Sequence, residues 1–595
     1  MRFWKENRER CLECLGLAAS IAIITLLFFN SSRPMEPVRM GVAAVLLYAG
    51  GWNLYKNRGA GNKRIAAGIC ILAVALALMT VAGSKIHIGD WNFEKARKSD
   101  LFWIALYSLV FCVMMGNLFL LTERESVGKW LVRQRDYTKT EFSKVWLAAS
   151  ILLAIFWIPV FTIYFPGIVA DDSTISIAMF FKEMPWDNHF PVFYSLIVGG
   201  LVKLGGLLGN HNLGVALYSA IQMVIMAAGL GYFLAWLWEK GVHRLYVFGS
   251  AAFFASAPLF GNYAIVMWKD PVFSLLLLLM VLFLFDHVAE NKEGFLKKKN
   301  IVKYILLSIG ICLMRNNGIY IVALLAVGLM VIYRKHWKRA AIACFVGILI
   351  SMVVTGPIYS KVFSAENLFV ESLGVPLQQM ARVVVTGGEM TQGQREYMDS
   401  LLPIEQYQEL YNPHLIDPIK WAADFDNEFL ESHKAEFFET WLQMLAPNFK
   451  AYVEAYLMET LSFWRIGEEI PYEMAKTDIT ENTWGIYSYM PVENMTGYQI
   501  LEEINQKYDF IPTALPIWGV FICGVFCLMG EKKRYIIPLV PFAGTWLTMM
   551  VATPTAFGLR YVFIYAIGLP LIVIYMWLAG RKKFLPKTCI PEDIC

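Results

Sequence analysis

Residues 271–288 read PVFSLLLLLMVLFLFDHV, an apolar run with no charge before Asp286. Runs of about 17–25 such residues are what the hydrocarbon core of a bilayer requires of a helix. The pattern recurs on both sides. Candidate spans fall at approximately 11–29, 40–55, 65–83, 101–121, 145–165, 213–236, 245–262, 271–288, 301–314, 319–333, 340–358, 509–529, 535–552 and 560–579. Composition agrees: hydrophobic residues make up 57% of the chain, charged residues 17%, and mean hydropathy is +0.49. A soluble chain of this size would carry roughly 25% charge to solvate its surface. The sequence therefore predicts an all-α polytopic membrane protein with about 14 transmembrane helices. Soluble enzymes and nucleic-acid modules are excluded as descriptions of the whole chain.

Lysine and arginine assign the loops to sides, because cytoplasmic loops carry the excess of basic residues. Basic clusters occur at Arg2–Arg10, Lys56–Arg64, Arg124–Lys144, Lys240–Arg244, Lys292–Lys299, Arg334–Arg339, Lys532–Arg534 and Arg581–Lys587. The spans alternate between them only if Phe190–Gly209 does not cross. That stretch holds Lys203, Pro191 and several glycines, and is read as a re-entrant or interfacial helix. Both termini are then cytoplasmic. Lys95, Arg97 and Lys98 oppose this scheme by falling outside. Arg315-Asn316-Asn317-Gly318 forms a polar break between two apolar segments too short to cross alone.

Four regions follow: a four-helix module at 1–144, a membrane core at 145–358 with an outer loop at 166–208, an exocytoplasmic insertion at 359–508, and C-terminal helices with a tail at 509–595. The insertion has about two dozen Asp and Glu against about nine Lys and Arg, and no cysteine. Its Trp421, Trp441, Trp464 and Trp484 either cover sugar faces or form its core, and the core is the expectation. Most of the ten cysteines lie inside apolar runs and read as small hydrophobes. Cys11, Cys14, Cys589 and Cys595 fall outside those runs, but the last two are wrongly spaced for a zinc knuckle. No metal ligand set is assigned, no cofactor is certain, and a divalent cation is left open. The first apolar run, Leu15–Phe29, lacks a small-residue cleavage site and reads as an anchor.

The chemistry gathers in the outer loops. After Tyr164-Phe165-Pro166-Gly167 come Asp171-Asp172-Ser173, then Trp186-Asp187-Asn188-His189-Phe190-Pro191. A carboxylate partly desolvated at the membrane surface is expected to have a raised pKa and to accept a proton from an alcohol or amine. The competing role for Asp172 or Ser173 is to cap the helix that follows. His189 suits a turn or a substrate contact equally. In Trp268-Lys269-Asp270-Pro271, proline makes Asp270 a natural N-cap, while Lys269 stands where an anion would be attracted. A lone Arg315 would cost about 2.5–3.5 kcal/mol facing lipid at mid-membrane, so it is expected to face a ligand cavity unless it snorkels to the surface. Arg560, which opens the last span, suits either a phosphate or interfacial anchoring.

In their order and common side, these motifs resemble the GT-C superfamily of membrane glycosyltransferases. That superfamily includes the protein O-mannosyltransferases and aminoarabinose transferases, and the likeness is to a poorly characterised bacterial branch. It rests on Pro166-Gly167 with Asp172-Ser173, on Asn188-His189-Phe190-Pro191, on Trp268-Lys269-Asp270, on Met314-Arg315-Asn316-Asn317-Gly318 and on Arg560-Tyr561. It covers about residues 145–580. The resemblance implies a GT-C-like fold and an inverting transfer of sugar from a polyprenyl-phosphate donor to an exocytoplasmic glycan, lipid or protein of the cell envelope. It implies Asp172 as the base and Asp171 as its neighbour or substitute. Lys269, Arg315 and Arg560 would hold the donor phosphate, with His189 and Asp270 in the substrate-binding set. The expected location is a bacterial plasma membrane with the active site outside. The rival expectation is a transporter or flippase of lipid-linked glycans.

Overall fold

Apolar periodicity resolves into helix almost throughout. The computed structural model describes residues 37–57, 63–89, 91–133, 138–365, 368–466, 482–487, 511–530, 532–552 and 554–584, with a few isolated positions between them. Among the described residues the strands are a two-residue pair, Ile86–His87 with Asn92–Phe93. Seven helices are long and apolar enough to cross a membrane: Lys63–Ser84, Lys98–Glu123, Lys139–Ile163, His211–Glu239, Asp270–Glu290, Arg334–Phe363 and Lys533–Val551. Shorter apolar helices run Val192–Leu207, Gly318–Ile332, Ala514–Met529 and Leu569–Ala579. The chain is thus an all-α, multi-pass membrane protein. The expected span 11–29 lies largely outside the described residues, as do Cys11, Cys14, Cys589 and Cys595.

Two expected spans are interrupted rather than continuous. The stretch 245–262 divides into Arg244–Ser256 and Pro258–Ile265. Pro258 has no N–H and disfavours helical backbone in the residue before it, and Ala257 accordingly turns out to ψ 122°. The stretch 560–579 divides into Leu559–Val562, Ile564–Ile567 and Leu569–Ala579.

By internal contacts the chain forms two compact units. The first comprises Met1–Val132, Phe521–Lys533 and Ile574–Lys587. Within it Asn53 donates to Asn117 at 2.8 Å, and Glu123 pairs with Lys583 at 2.7 Å and Lys532 at 3.4 Å. The loop that opposed the orientation scheme is partly neutralised where it stands, because Arg97 pairs with Glu94 and Lys85 with Asp100.

The second unit comprises Arg133–Val520, Arg534–Val573 and Thr588–Cys595. At its centre runs Asp270–Glu290, with 72% of its apolar window buried, against 17% for Lys139–Ile163. The helices His211–Glu239, Lys298–Met314 and Val540–Val551 pack on it. The sixteen residues of Val192–Leu207 reach about 24 Å, short of the roughly 30 Å hydrocarbon core. They fold back on His211–Glu239 so closely that a Cβ on Gly205 would lie 2.2 Å from the Gly214 nitrogen. Gly205 thus serves backbone contact between helices, while Gly199 makes room for the Phe180 side chain and Gly206 for His211.

The described insertion is helical, wrapped round Leu377, Met380, Met398, Tyr407, Phe437 and Met444. A buried Arg382–Glu454 pair at 2.7 Å joins two of its helices. The tryptophans do not all join this core. Trp464 is buried and Trp441 packs against the cluster, but Trp421 is 47% exposed and Trp484 stacks on Phe181 of the 166–208 loop.

Candidate active site

The site is assembled by an irregular strand-like segment, Ile265–Lys269, lying between two helices. Val266 N–H still donates to Asn262 and the Lys269 carbonyl accepts from Phe273, but the buried carbonyls of Ile265, Val266 and Met267 must find other donors. Side chains from three helices supply them. Ser173 donates to the Met267 carbonyl at 2.5 Å, and Tyr194 donates to the same oxygen. Ser219 donates to Ile265 at 3.0 Å and Gln222 to Val266 at 2.5 Å, while Tyr218 donates to Gln222 at 2.7 Å. The Met267 N–H donates to Ile168 at 2.9 Å, where the segment pairs with the loop that follows Lys139–Ile163.

Gly167 lets that pairing form. It sits at φ +155°, and a Cβ there would meet the Ser219 hydroxyl oxygen at 2.0 Å. The chain then enters the helix Asp171–Phe180, whose N-cap is Ala170 without a side-chain cap bond. Asp172 makes no capping bond, whereas the Ser173 hydroxyl oxygen accepts from the Ala170 N–H at 3.4 Å while it donates inward to Met267. Asp171 stands exposed at the first helical position.

These contacts place Asp172 over Lys269. Its Oδ2 lies 3.1 Å from the Lys269 Nζ and 3.5 Å from the Arg560 Nη1. All three side chains are largely buried. The Arg560 guanidinium also lies over the Trp268 and Tyr561 rings, at 5.0 and 4.5 Å. Lys269 sits 5.6 Å from the centre of the Phe190 ring. Cations so stacked are held in place as well as charge-balanced.

Here a sequence expectation is reversed. Burial does push the Asp172 carboxyl up, but Lys269, Arg560 and the more distant His189 outweigh it and hold it well below the usual carboxylate range. The two cations come from positions 97 and 388 residues away, which no local reading reaches. As it stands, Asp172 is a counter-ion.

Asp270 and Arg315 form the next layer. Asp270 is the first residue of its helix, with Lys269 in the N-cap position. At 1% exposure its carboxylate pairs with Arg315, and Oδ2 has no hydrogen-bond partner. Arg315 occupies the break after Met314 and lies 5.0 Å from the centre of the Tyr561 ring. Tyr561 thus contacts both guanidiniums.

His189 belongs to a third group, tied to the insertion. Its Nδ1 lies 2.7 Å from Glu371 Oε2, and the same oxygen takes Lys420 at 3.0 Å. Lys420 also pairs with Asp417 at 2.9 Å. Burial pushes the Glu371 carboxyl up, but His189 and Lys420 bring it down to about 2. Trp421 stands beside His189, ring centres 6.4 Å apart. Asn316 donates to the Asn188 carbonyl at 2.6 Å, which joins the helix break to this loop.

The structure therefore gathers Asp172, Lys269 and Arg560, sets Asp270 with Arg315 beside them, places His189 at the rim and leaves Asp171 outside. Sequence reasoning missed the cradle of Ser173, Tyr194, Ser219 and Gln222, and the Glu371–Lys420–Trp421 group. Tyr218, Ser219 and Gln222 on one face of an apolar helix were a readable signal. The acids of the insertion had none.

Among the described residues no cluster of three or more His, Cys, Asp or Glu is arranged to hold a metal ion. The Asp171-Asp172 pair does not fit a divalent cation, since Asp172 already faces two positive side chains. What the arrangement offers is an anion seat guarded by a carboxylate.

No curated protein and no solved structure matches the chain. A family model matches residues 183–587, which take in every site residue from His189 to Arg560. Since this span is well over half of the sequence, the chain belongs to that family, described as a family of unknown function (DUF6020).

Proposed function

We propose that the chain is a GT-C-like membrane glycosyltransferase, moving a sugar from a polyprenyl-phosphate donor to an acceptor hydroxyl or amine at the outer face of a bacterial plasma membrane. In this reading some fourteen membrane segments leave both termini in the cytoplasm and the Asp172 site outside. The observation that carries it is the carboxylate held between two cations, Asp172 between Lys269 and Arg560.

A donor phosphate would be drawn to the same two cations. Seated there, it takes over their hydrogen bonds and brings negative charge beside Asp172. Both effects return the carboxyl toward ordinary basicity. Asp172 then accepts the acceptor proton as the acceptor atom bonds to the anomeric carbon. The bond from that carbon to the phosphate oxygen breaks, the electron pair stays on the phosphate, and the sugar centre inverts. Negative charge grows on the leaving phosphate, so Lys269 and Arg560 stabilise the transition state more than the ground state. Asp270 and Arg315 brace the end of the helix that carries Lys269 and add positive potential. His189 and Trp421 line the acceptor side, where an indole face suits a sugar ring.

The test is transfer of radiolabel from a panel of polyprenyl-phosphate sugars to membrane acceptors, comparing wild type with Asp172→Asn. Label incorporated by wild type and lost in the variant supports a transferase and names its donor. No incorporation by folded wild-type protein across the panel overturns it in favour of a flippase of lipid-linked glycans.

A further inference from the structure

The helix Lys298–Met314 carries Arg315 at one end and a second concentration of positive charge at the other. Its seventeen residues separate the two by about 25 Å. At the Lys298 end, between this helix and Trp337–Val353, lies a cavity of about 640 Å³. That size falls in the range of roughly 300–1,000 Å³ typical of small-ligand sites.

The mouth of the cavity is basic. Lys297, Lys298, His336 and Arg339 line it against a single acid, Glu293. None of the four basic side chains forms an ion pair among the described residues. A buried lysine of the same unit is paired by contrast: Lys240 is bound to Asp286 at 2.5 Å and Glu290 at 2.8 Å.

The wall below the mouth is apolar. Ile301, Val302 and Ile305 follow Lys298 at helical spacing, and Ile342 faces them one turn after Arg339. Val302 and Ile342 are 47% and 54% exposed, which suits contact with hydrocarbon. Trp337, exposed beside the mouth with Lys338 over its ring at 6.0 Å, has the character of an interfacial anchor. A cationic mouth above an apolar furrow matches a molecule with an anionic head and an acyl chain. A soluble anion would gain nothing from the furrow, and a soluble apolar ligand nothing from the lysines.

We propose that this groove is a binding site for an anionic phospholipid, with its phosphate among Lys297, Lys298 and Arg339 and an acyl chain along Ile301, Ile305 and Ile342. Basic pockets between membrane helices are suited to such headgroups. The site lies away from Asp172, and the inference stands whether or not the chain transfers sugars.

The full-length protein, delipidated in detergent, is titrated with phosphatidylglycerol and with phosphatidylcholine, and bound lipid is counted by native mass spectrometry. Wild type is expected to prefer phosphatidylglycerol. The variant Lys297→Gln/Lys298→Gln/Arg339→Gln is expected to lose at least about tenfold of that preference, since each basic residue near a membrane surface adds to anionic-lipid affinity. A control variant, Lys299→Gln/Lys335→Gln/Lys338→Gln, removes equal charge from exposed positions outside the groove and should retain it. Equal loss in both variants, or no loss in the first, overturns the site. So does full competition by inorganic phosphate alone, which would leave the apolar furrow without a part. If the triple variant melts early, Arg339→Gln alone carries the test, because Arg339 is exposed.

Discussion

Replacing Asp172 with asparagine should abolish transfer and yet tighten the hold on a lipid phosphate. In the free protein Lys269 and Arg560 already have an anion, the Asp172 carboxylate, at 3.1 and 3.5 Å. An incoming phosphate must share them and sit against that negative charge. With an effective dielectric of about 20, two like unit charges about 6 Å apart repel by roughly 3 kcal/mol. Water reaches the site, since the Asp172 side chain is 19% exposed. The expected gain on neutralising it is therefore roughly 1.4–2.8 kcal/mol, or 10- to 100-fold in Kd. The shape of asparagine preserves the packing, so the change isolates charge.

The probe is undecaprenyl phosphate in detergent, and the readout is the midpoint of thermal unfolding as the lipid is titrated. Without lipid, Asp172→Asn should melt below wild type, because two largely buried cations lose their counter-ion. With lipid its midpoint should rise by more than wild type's, since a ligand stabilises in proportion to the logarithm of its concentration over Kd. An equal or weaker rise in the variant refutes the idea that carboxylate and phosphate compete for one seat. Failure of the lipid to shift either protein refutes the seat itself.

Arg315→Ala should cost about 3–5 kcal/mol in detergent unfolding, because it strands the buried Asp270 carboxylate; adding Asp270→Asn should restore part of it, and a single-variant cost below about 1 kcal/mol would show the pair carries little. Gly167→Ala should lower stability by about 1–3 kcal/mol and reduce transfer, through a clash with Ser219 Oγ and through strain at φ +155°, of which Ser219→Gly relieves only the clash in the double variant. Glu371, lowered from 4.5 to about 2, adds stability that is complete above pH 4.5 and lost as pH falls toward 2. Fluorescence of the exposed Trp421, taken as the difference between wild type and Trp421→Phe, should change across that window and stay flat in Glu371→Gln; a pH-dependent change as large in Glu371→Gln as in wild type would sink the assignment.

Ionisable residues in an apolar chain are costly, so those that persist are conspicuous, and this is why Asp172, Lys269, Arg315 and Arg560 could be read from the sequence. Helices were legible for a related reason: a long apolar run has few other solutions in a bilayer. The breaks were harder. Only the local effect of Pro258 on Ala257 divides 245–262, and hydropathy is blind to it. Hardest were contacts whose partners are main-chain carbonyls. A serine that serves Met267 from 94 residues away, or a glutamine that serves Val266 from 44, leaves no spacing to find.

The same limit explains why the electrostatics of Asp172 ran opposite to expectation, and it bears on mechanism. Position at a membrane surface argues for desolvation, hence a weak acid and a ready base. Tertiary structure instead supplies two cations, and the net effect is a strong acid that is a poor base. The two pictures are reconciled if they belong to different states of one site. Empty, the carboxylate neutralises the seat and withholds its basicity. With phosphate in the seat, the cations are engaged elsewhere and the desolvation that was always present takes over. Basicity would then arise only when a leaving group is in place, so the donor itself unmasks the base that its transfer needs. The Asp172→Asn experiment tests this directly, because competition for the seat is the step on which the coupling depends.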